Sequence, residues 1–456
     1  MSPKPSFKER FVKSASWSLG GNLAGQLIRF TSSLIMTRLL VPEDFGLMAI
    51  VMVLMVGFTL LSDLGTGQSL IYNKRGEEDS FRHTVWTLQV SRGFVIWGVS
   101  VVVSAVIFML SAWGWFPKDS TYNDPRLPLV VVVFSMQMIV LGFCSSKQWI
   151  QQRHMMLKRI MLIRVYSQLI SLVVMVIWAY FSRDIWALVA GGVVSAMVQV
   201  VMSHTYLPGE PDRFGWDKEV FKDLLTFGRW VMLSSIVGFL ASSGDRLLLG
   251  ALENAQSLGM YSIAFLLLTP IQSIFITVIG SVVFPALSEI NRNSPERTGE
   301  IYTRFQRLAD LCLVGAAGVL FSGGSALVSV MYDHRYQDAG QMLQVLALGL
   351  IGLRTQVLEQ LFIARGESKL STVANVLRLL GLFLLVPLAH WHGGMSWAVV
   401  AIVAATYSAW PLAYWYRHKH GIPFGAPDAW AIPAFAAGAA LGWGIDQGLA
   451  WLRTLV

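Results

Sequence analysis

Residues 14–37 read SASWSLGGNLAGQLIRFTSSLIMT. The run is long enough to cross a bilayer, which takes about 20 apolar residues in a helix. Yet it carries Asn22, Gln26, Arg29 and Ser33 at i, i+4, i+7 and i+11, which is one helix face. A helix facing only lipid has nothing in hydrocarbon to bond such a stripe. The stripe therefore faces other helices or a hydrated cavity, and it predicts a bundle of membrane helices with a polar interior.

Runs of this length recur down the chain. Hydrophobic residues make up 54% and charged residues 14% of 456 residues, too little charge for a soluble protein of this size. The expected spans are 14–37, 46–71, 85–111, 128–148, 160–181, 185–205, 226–250, 258–286, 306–331, 339–363, 370–390, 395–415 and 430–452. Pro42-Glu43-Asp44, Arg183-Asp184 and Gly393-Gly394 punctuate short connections. The basic N-terminus (Lys4, Lys8, Arg10, Lys13) precedes an apolar run with no small-residue cleavage site, so the run reads as an uncleaved first span. Cys144 and Cys312 read as small buried hydrophobes, with neither a disulfide nor a metal pair expected.

Basic residues are distributed unevenly. The N-terminus and the loops after even-numbered spans hold 22 Lys and Arg, and the opposite loops with the C-terminal tail hold six. By the positive-inside rule the N-terminus is cytoplasmic, and thirteen spans place the C-terminus outside. The net charge of +8 is thus a matter of orientation, and no nucleic-acid partner is expected.

The chain also echoes itself. Thr37-Arg38-Leu39-Leu40-Val41 followed by Phe45-Gly46-Leu47-Met48 matches Asp245-Arg246-Leu247-Leu248-Leu249 followed by Leu258-Gly259-Met260-Tyr261. The echo starts at spans one and seven, so both halves share one orientation. The expected fold is an all-α polytopic membrane protein of two six-helix bundles in parallel pseudo-repeat plus one C-terminal span. Its parts are a cytoplasmic N-terminus (1–13), an N-terminal bundle (14–206), a cytoplasmic linker (207–225), a C-terminal bundle (226–416) and the extra span (417–456). Duplicated halves of this kind hold substrate between them near the bilayer midplane.

These stretches resemble a known family. The run Thr37-Arg38-Leu39-Leu40-Val41-Pro42-Glu43-Asp44-Phe45-Gly46-Leu47 is similar to the first outer loop of the polysaccharide transporter family, the Wzx-type flippases of the MOP superfamily. Residues 63–71 (DLGTGQSLI) resemble the end of that family's second span. Gln151-Gln152-Arg153 with Lys158, Val283-Phe284-Pro285-Ala286-Leu287, and Tyr336 through Leu346 followed by Ala364-Arg365-Gly366-Glu367 also fit, so the likeness covers roughly 10–415. The resemblance implies two bundles around a cavity that opens alternately to each side, as in the MATE drug exporters and the lipid II flippase. It implies flipping of undecaprenyl-diphosphate-linked oligosaccharide across the bacterial inner membrane, for O-antigen, capsule or exopolysaccharide. Polysaccharide polymerase and co-polymerase are the protein partners it suggests. It departs at the tail, where longer members have fourteen spans. Here 430–452 reads as a lone thirteenth span or a partly interfacial helix, because Asp446, Gln447 and the glycines 438, 442, 444 and 448 weaken it as a helix.

Apart from Lys147 and Arg307 at the very ends of spans, seven arginines and no lysines lie within them: Arg29, Arg92, Arg164, Arg229, Arg246, Arg354 and Arg378. Ionisable groups at bilayer depth mark pathways, and arginine grips phosphate with a planar fork of donors. Arg29, Arg354 and Arg378 stand about 12–13 Å from the nearer span end, beyond comfortable snorkelling. Arg164, Arg229 and Arg246 lie near span ends. Polar stripes recur as Arg164, Gln168, Ser171 and as Ser371, Asn375, Arg378. The candidate substrate-binding set is Arg29, Arg354, Arg378, Gln26, Asn22 and Asn375, with Arg92, Asp63 and Arg246 as further candidates. The alternative for each deep arginine is structural pairing. Asp63 suits a neighbouring-helix arginine, whereas Glu359 is i+5 from Arg354 and off its face. Pro270 and Pro285, with Gly280, read as hinges in span eight.

Two other classes predict different residues. A MATE-like exporter handles mainly cations and predicts acids at depth, where arginine here outnumbers acid. A glycan polymerase or ligase needs a catalytic loop, and the longest outer loop, 112–127, holds no histidine. No enzyme activity and no cofactor are expected. Histidines near span ends argue against a metal site, and coupling to Na+ or H+ is left open.

Overall fold

The computed structural model describes residues 7–63, 65–422 and 428–454. Lys4, Leu64 and the side chains of Lys8, Arg10 and Arg229 lie outside the described residues. The chain is helical, and no strand occurs among the described residues. It divides into two units, one ending at Phe239 and one beginning at Leu240.

The N-terminal unit holds α1 (Phe7–Leu39), α2 (Pro42–Leu61), α3 (Thr66–Tyr72), α4 (Asp79–Ala112), α5 (Leu127–Gly142), α6 (Lys147–Arg153), α7 (Leu157–Phe181) and α8 (Trp186–Thr205). Helix α9 (Lys218–Leu252) carries the chain into the second unit. There follow α10 (Ala255–Val278), α11 (Phe284–Asn293), α12 (Thr298–Ala309), α13 (Gly315–Met331), α14 (Asp338–Gly352), α15 (Thr355–Ala364), α16 (Ser368–Thr406), α17 (Trp410–Lys419) and α18 (Ala431–Thr454). Eight helical stretches among the described residues are long and apolar enough to span a membrane, or nine if α5 and α6 form one broken span. The longest, Lys369–Lys419, covers two expected spans, because Gly393 and Gly394 interrupt α16 and Gly394 takes φ of +63°.

The pseudo-repeat is visible in where helices break. The second span of each half is followed by a short helix, α3 or α11, and the fourth is divided, α5/α6 or α14/α15. Between α5 and α6 the axis bends by 63°. Gln89 of α4 covers the broken end, its Nε2 donating to the carbonyls of Leu141 at 3.3 Å, Gly142 at 3.1 Å and Cys144 at 3.1 Å. The last carbonyls of a helix have no partner of their own, so a donor from the neighbouring helix is what lets this span stop inside the bundle. Cys144 is buried in this break, but Cys312 is exposed, a correction to the expectation for it. It sits in a wide π-helical turn, Asp310–Val314, which rotates Leu311 and Cys312 outward. A second π turn, Ile279–Val283, ends just before Phe284 and Pro285, while α10 continues through Pro270.

Helix α18 packs on α13. A Cβ at Gly318 would meet Phe435 O at 2.4 Å, and one at Gly438 would meet Gly315 O at 2.1 Å. Gly442 lies against Val319 O, and Ser322 Oγ donates to Ala439 O at 2.8 Å. Successive contacts climb both helices together, so α18 runs parallel to α13. The glycines that lower helix propensity are those that admit close backbone approach, a common device between membrane helices.

Candidate functional site

In the N-terminal unit the first polar stripe meets the second. Helix α1 packs on α7, and Arg164 Nη1 donates to Asn22 Oδ1 at 3.3 Å. Gly25 lies under Gln168, where a Cβ would come within 3.1 Å of Oε1. Ser171 turns away and donates to Gly191 O of α8 at 2.8 Å. Arg29 is exposed and has no acidic partner among the described residues; its electrostatic neighbour is the like-charged Arg164. Asn22 is exposed beside it on the same helix, and Gln26 is half-buried.

Arg92 is committed to the end of α2. Its Nε donates to Ser62 Oγ at 2.9 Å, its Nη2 to Thr59 O at 2.5 Å, and its Nη1 stands 3.5 Å from Asp63. This is the neighbouring-helix partner that Asp63 was expected to have. Asp63 Oδ1 also accepts from Gly65 N at 3.0 Å, fixing the turn into α3.

In the C-terminal unit two ion pairs meet where α14 hands over to α15. Arg354, just before α15, donates from Nη2 to Asp310 Oδ2 at 2.8 Å. Asp310 is fully buried and accepts from Gln306 Nε2 at 3.0 Å, while Tyr302 donates to Gln306 Oε1 at 3.1 Å. These three residues follow one another at four-residue intervals along α12 and into its π turn. Next along α15, Thr355 Oγ1 accepts from Arg378 Nη2 at 2.8 Å. The same guanidinium pairs with Glu359 and donates from Nη1 to Asn375 Oδ1 at 3.1 Å. Glu359 thus serves Arg378. Buried pairs of this kind leave a costly lone charge if one partner is removed, so both guanidiniums have a structural duty whatever else they touch.

Arg246 lies over the Phe265 ring at 4.1 Å, and its neighbour Asp245 accepts from the Tyr261 hydroxyl. Among the described residues no cluster of His, Cys, Asp or Glu suits a metal ion.

A small cavity of about 90 Å³ opens beside Arg354, lined also by Tyr302, Gln306, Thr355, Trp410 and Arg417. Sequence reasoning missed Arg417. It ends span twelve in a basic turn, Arg417-His418-Lys419, and so passes for an orienting loop charge. A signal was available, since Tyr414 and Arg417 are i and i+3 and share a helix face.

The family model described as "Polysaccharide biosynthesis protein" matches residues 35–341. The lipopolysaccharide biosynthesis protein WzxC of Escherichia coli (strain K12) is 20% identical over 400 residues, covering 86% of this chain and 77% of that protein. A putative O-antigen transporter of Shigella flexneri is 23% identical over 419 residues, covering 88% and 97%. Among solved structures, the lipid II flippase MurJ in an inward closed conformation superposes with a TM-score of 0.65 at 10% identity, covering 97% and 100%. An inward-facing MATE multidrug transporter of the MOP superfamily gives 0.67 at 14%, covering 87% and 94%. The fold is that of the MOP transporters, an all-α multi-pass membrane architecture. With the matched stretch running from α1 into α14, over more than half its length, the chain belongs to the polysaccharide biosynthesis protein family.

Proposed function

We propose that this protein flips an undecaprenyl-diphosphate-linked oligosaccharide repeat unit across the bacterial inner membrane, with its N-terminus in the cytoplasm. The glycan travels in a hydrated cavity, the diphosphate is held by guanidinium groups, and the prenyl tail stays in the bilayer. Alternating access of the two bundles moves the load. A polymerase and co-polymerase on the outer face would take the glycan onward.

One observation carries this reading: Arg29, ten residues before the end of α1 on a polar stripe, is exposed with no acidic partner among the described residues. A cation kept there without a counter-charge suits an anionic load, and its fork suits phosphate oxygens. The relatives named for O-antigen and lipopolysaccharide biosynthesis support the choice of load. The test is complementation of a strain lacking the gene. Arg29→Ala should abolish surface glycan at normal protein level in the membrane, and Arg29→Lys should restore part of it. Full complementation by Arg29→Ala removes this residue from the site.

A further inference from the structure

We infer that the groove between the first halves of α1 and α7 is a binding site for an anionic phospholipid, with an acyl chain in the groove and the phosphate between Lys13 and Lys158. This lipid is a resident of the N-terminal unit and not the load.

Gly21 meets Met161, Asn22 meets Arg164 and Gly25 meets Gln168, so α1 and α7 run parallel and begin at the same membrane surface. Beside this contact a groove of about 410 Å³ is lined by Trp17, Gly20, Ala24, Met161, Leu162 and Val165, and no charged group lies in its wall. The groove exists because Gly20 has no side chain there, and nothing lies within 4 Å of a Cβ at that position. At about 3.6 residues per turn, Lys13, Trp17, Gly20 and Ala24 project from the side of α1 away from Asn22, Gln26 and Arg29. If the polar stripe is turned to a wet interior, the groove is turned to lipid.

The groove ends in two exposed cations. Lys158 Nζ lies over the Trp17 ring at 5.1 Å, a contact that holds the ammonium at the mouth. Lys13 stands one turn before Trp17 on the same face. No acid occurs in α1 after Lys13 or anywhere in α7. Basic pockets between membrane helices attract anionic headgroups, and a zwitterionic headgroup brings its own ammonium and loses most of that attraction. Lys13 precedes Arg29 by 16 residues, about 24 Å along the helix. A headgroup held at Lys13 is therefore a different one from a diphosphate held at Arg29.

Native mass spectrometry of the full-length protein, released from nanodiscs of equal parts phosphatidylglycerol and phosphatidylethanolamine, tests the site. Phosphatidylglycerol should be retained in preference, and Lys13→Gln with Lys158→Gln should lower its retention several-fold. Gly20→Phe should obstruct the groove and remove the same phosphatidylglycerol molecule with both lysines in place, which keeps the test valid if the double variant does not fold. Arg29→Ala should retain it in full. Unchanged retention in Gly20→Phe, equal retention of phosphatidylethanolamine, or loss of the adduct in Arg29→Ala overturns the inference. Displacement of the phosphatidylglycerol by uncharged undecaprenol would give the groove to the carrier's tail and overturn it as well. Failure of this test leaves the Arg29 complementation result standing, so the two readings fall separately.

Discussion

The guanidinium of Arg354 is bonded at 2.8 Å to the carboxylate of Asp310, 44 residues earlier in the chain. The wide turn at Asp310–Val314 sets that acid inside the unit, and the end of α14 places the arginine against it. Arg354→Ala should therefore cost about 3–5 kcal/mol by leaving a buried charge alone. Arg354→Gln with Asp310→Asn should cost less than Arg354→Ala. Thermal unfolding in detergent measures both, and a double variant that fares no better would show that the pair is not the origin of the loss.

Two of the four tail glycines hold α18 in place and two do not. Gly438 and Gly442 touch α13 backbone, whereas nothing lies within 4 Å of a Cβ at Gly444 or Gly448. Gly438→Leu should destabilise by about 1–3 kcal/mol through overpacking. Gly444→Ala should be neutral or mildly stabilising, because alanine favours the helix by up to about 1 kcal/mol. Equal melting temperatures for the two variants would count against the close backbone contact.

Gln89 covers three carbonyls at the break in span four. Gln89→Leu keeps the bulk and removes the donor, so about 1–3 kcal/mol should be lost. Gln89→Glu should be worse when ionised, since a carboxylate would face carbonyl oxygens. Hydrogen exchange over residues 141–146 should rise in both, and an unchanged pattern would assign the capping to other groups.

The linker that leads into α9 is fastened to the same break. Asp212 accepts from Ser145 Oγ at 2.5 Å and Ser146 N at 3.3 Å, and also from Ser146 Oγ. Farther along, Gly215 N donates to Thr87 Oγ1 at 3.0 Å and Asp217 N to Thr84 Oγ1 at 2.9 Å. Asp212→Ala should speed proteolytic cleavage within 206–217 several-fold while leaving the spans intact. A cleavage rate equal to that of the unaltered protein would show that the later contacts alone hold the linker.

The all-helical architecture and most of the long apolar helices were legible because hydropathy and helical spacing are local properties. The partners of Arg354 and Arg378 were not. Glu359 reaches Arg378 across 19 residues of sequence and two helices, and no spacing rule spans that gap. The π turn that delivers Asp310 has no residue signature, since a wide turn is set by what packs against it. Arg417 looked like an orienting charge, and its burial depends on the ring of Tyr302 from another helix. The tail glycines were read by intrinsic propensity, and their use lay in a helix over a hundred residues away.

That last separation has a bearing on biogenesis. Ser322 and Ala439 are 117 residues apart. When α13 leaves the insertion machinery, its strip of bare backbone around Gly315 and Gly318 has only lipid beside it, and lipid chains fit such a groove poorly. The strip stays unfilled until α14 through α17 have been made and inserted. Docking of α18 is thus a late assembly step, and variants that block it should accumulate as inserted but unfinished protein, open to membrane quality-control proteases.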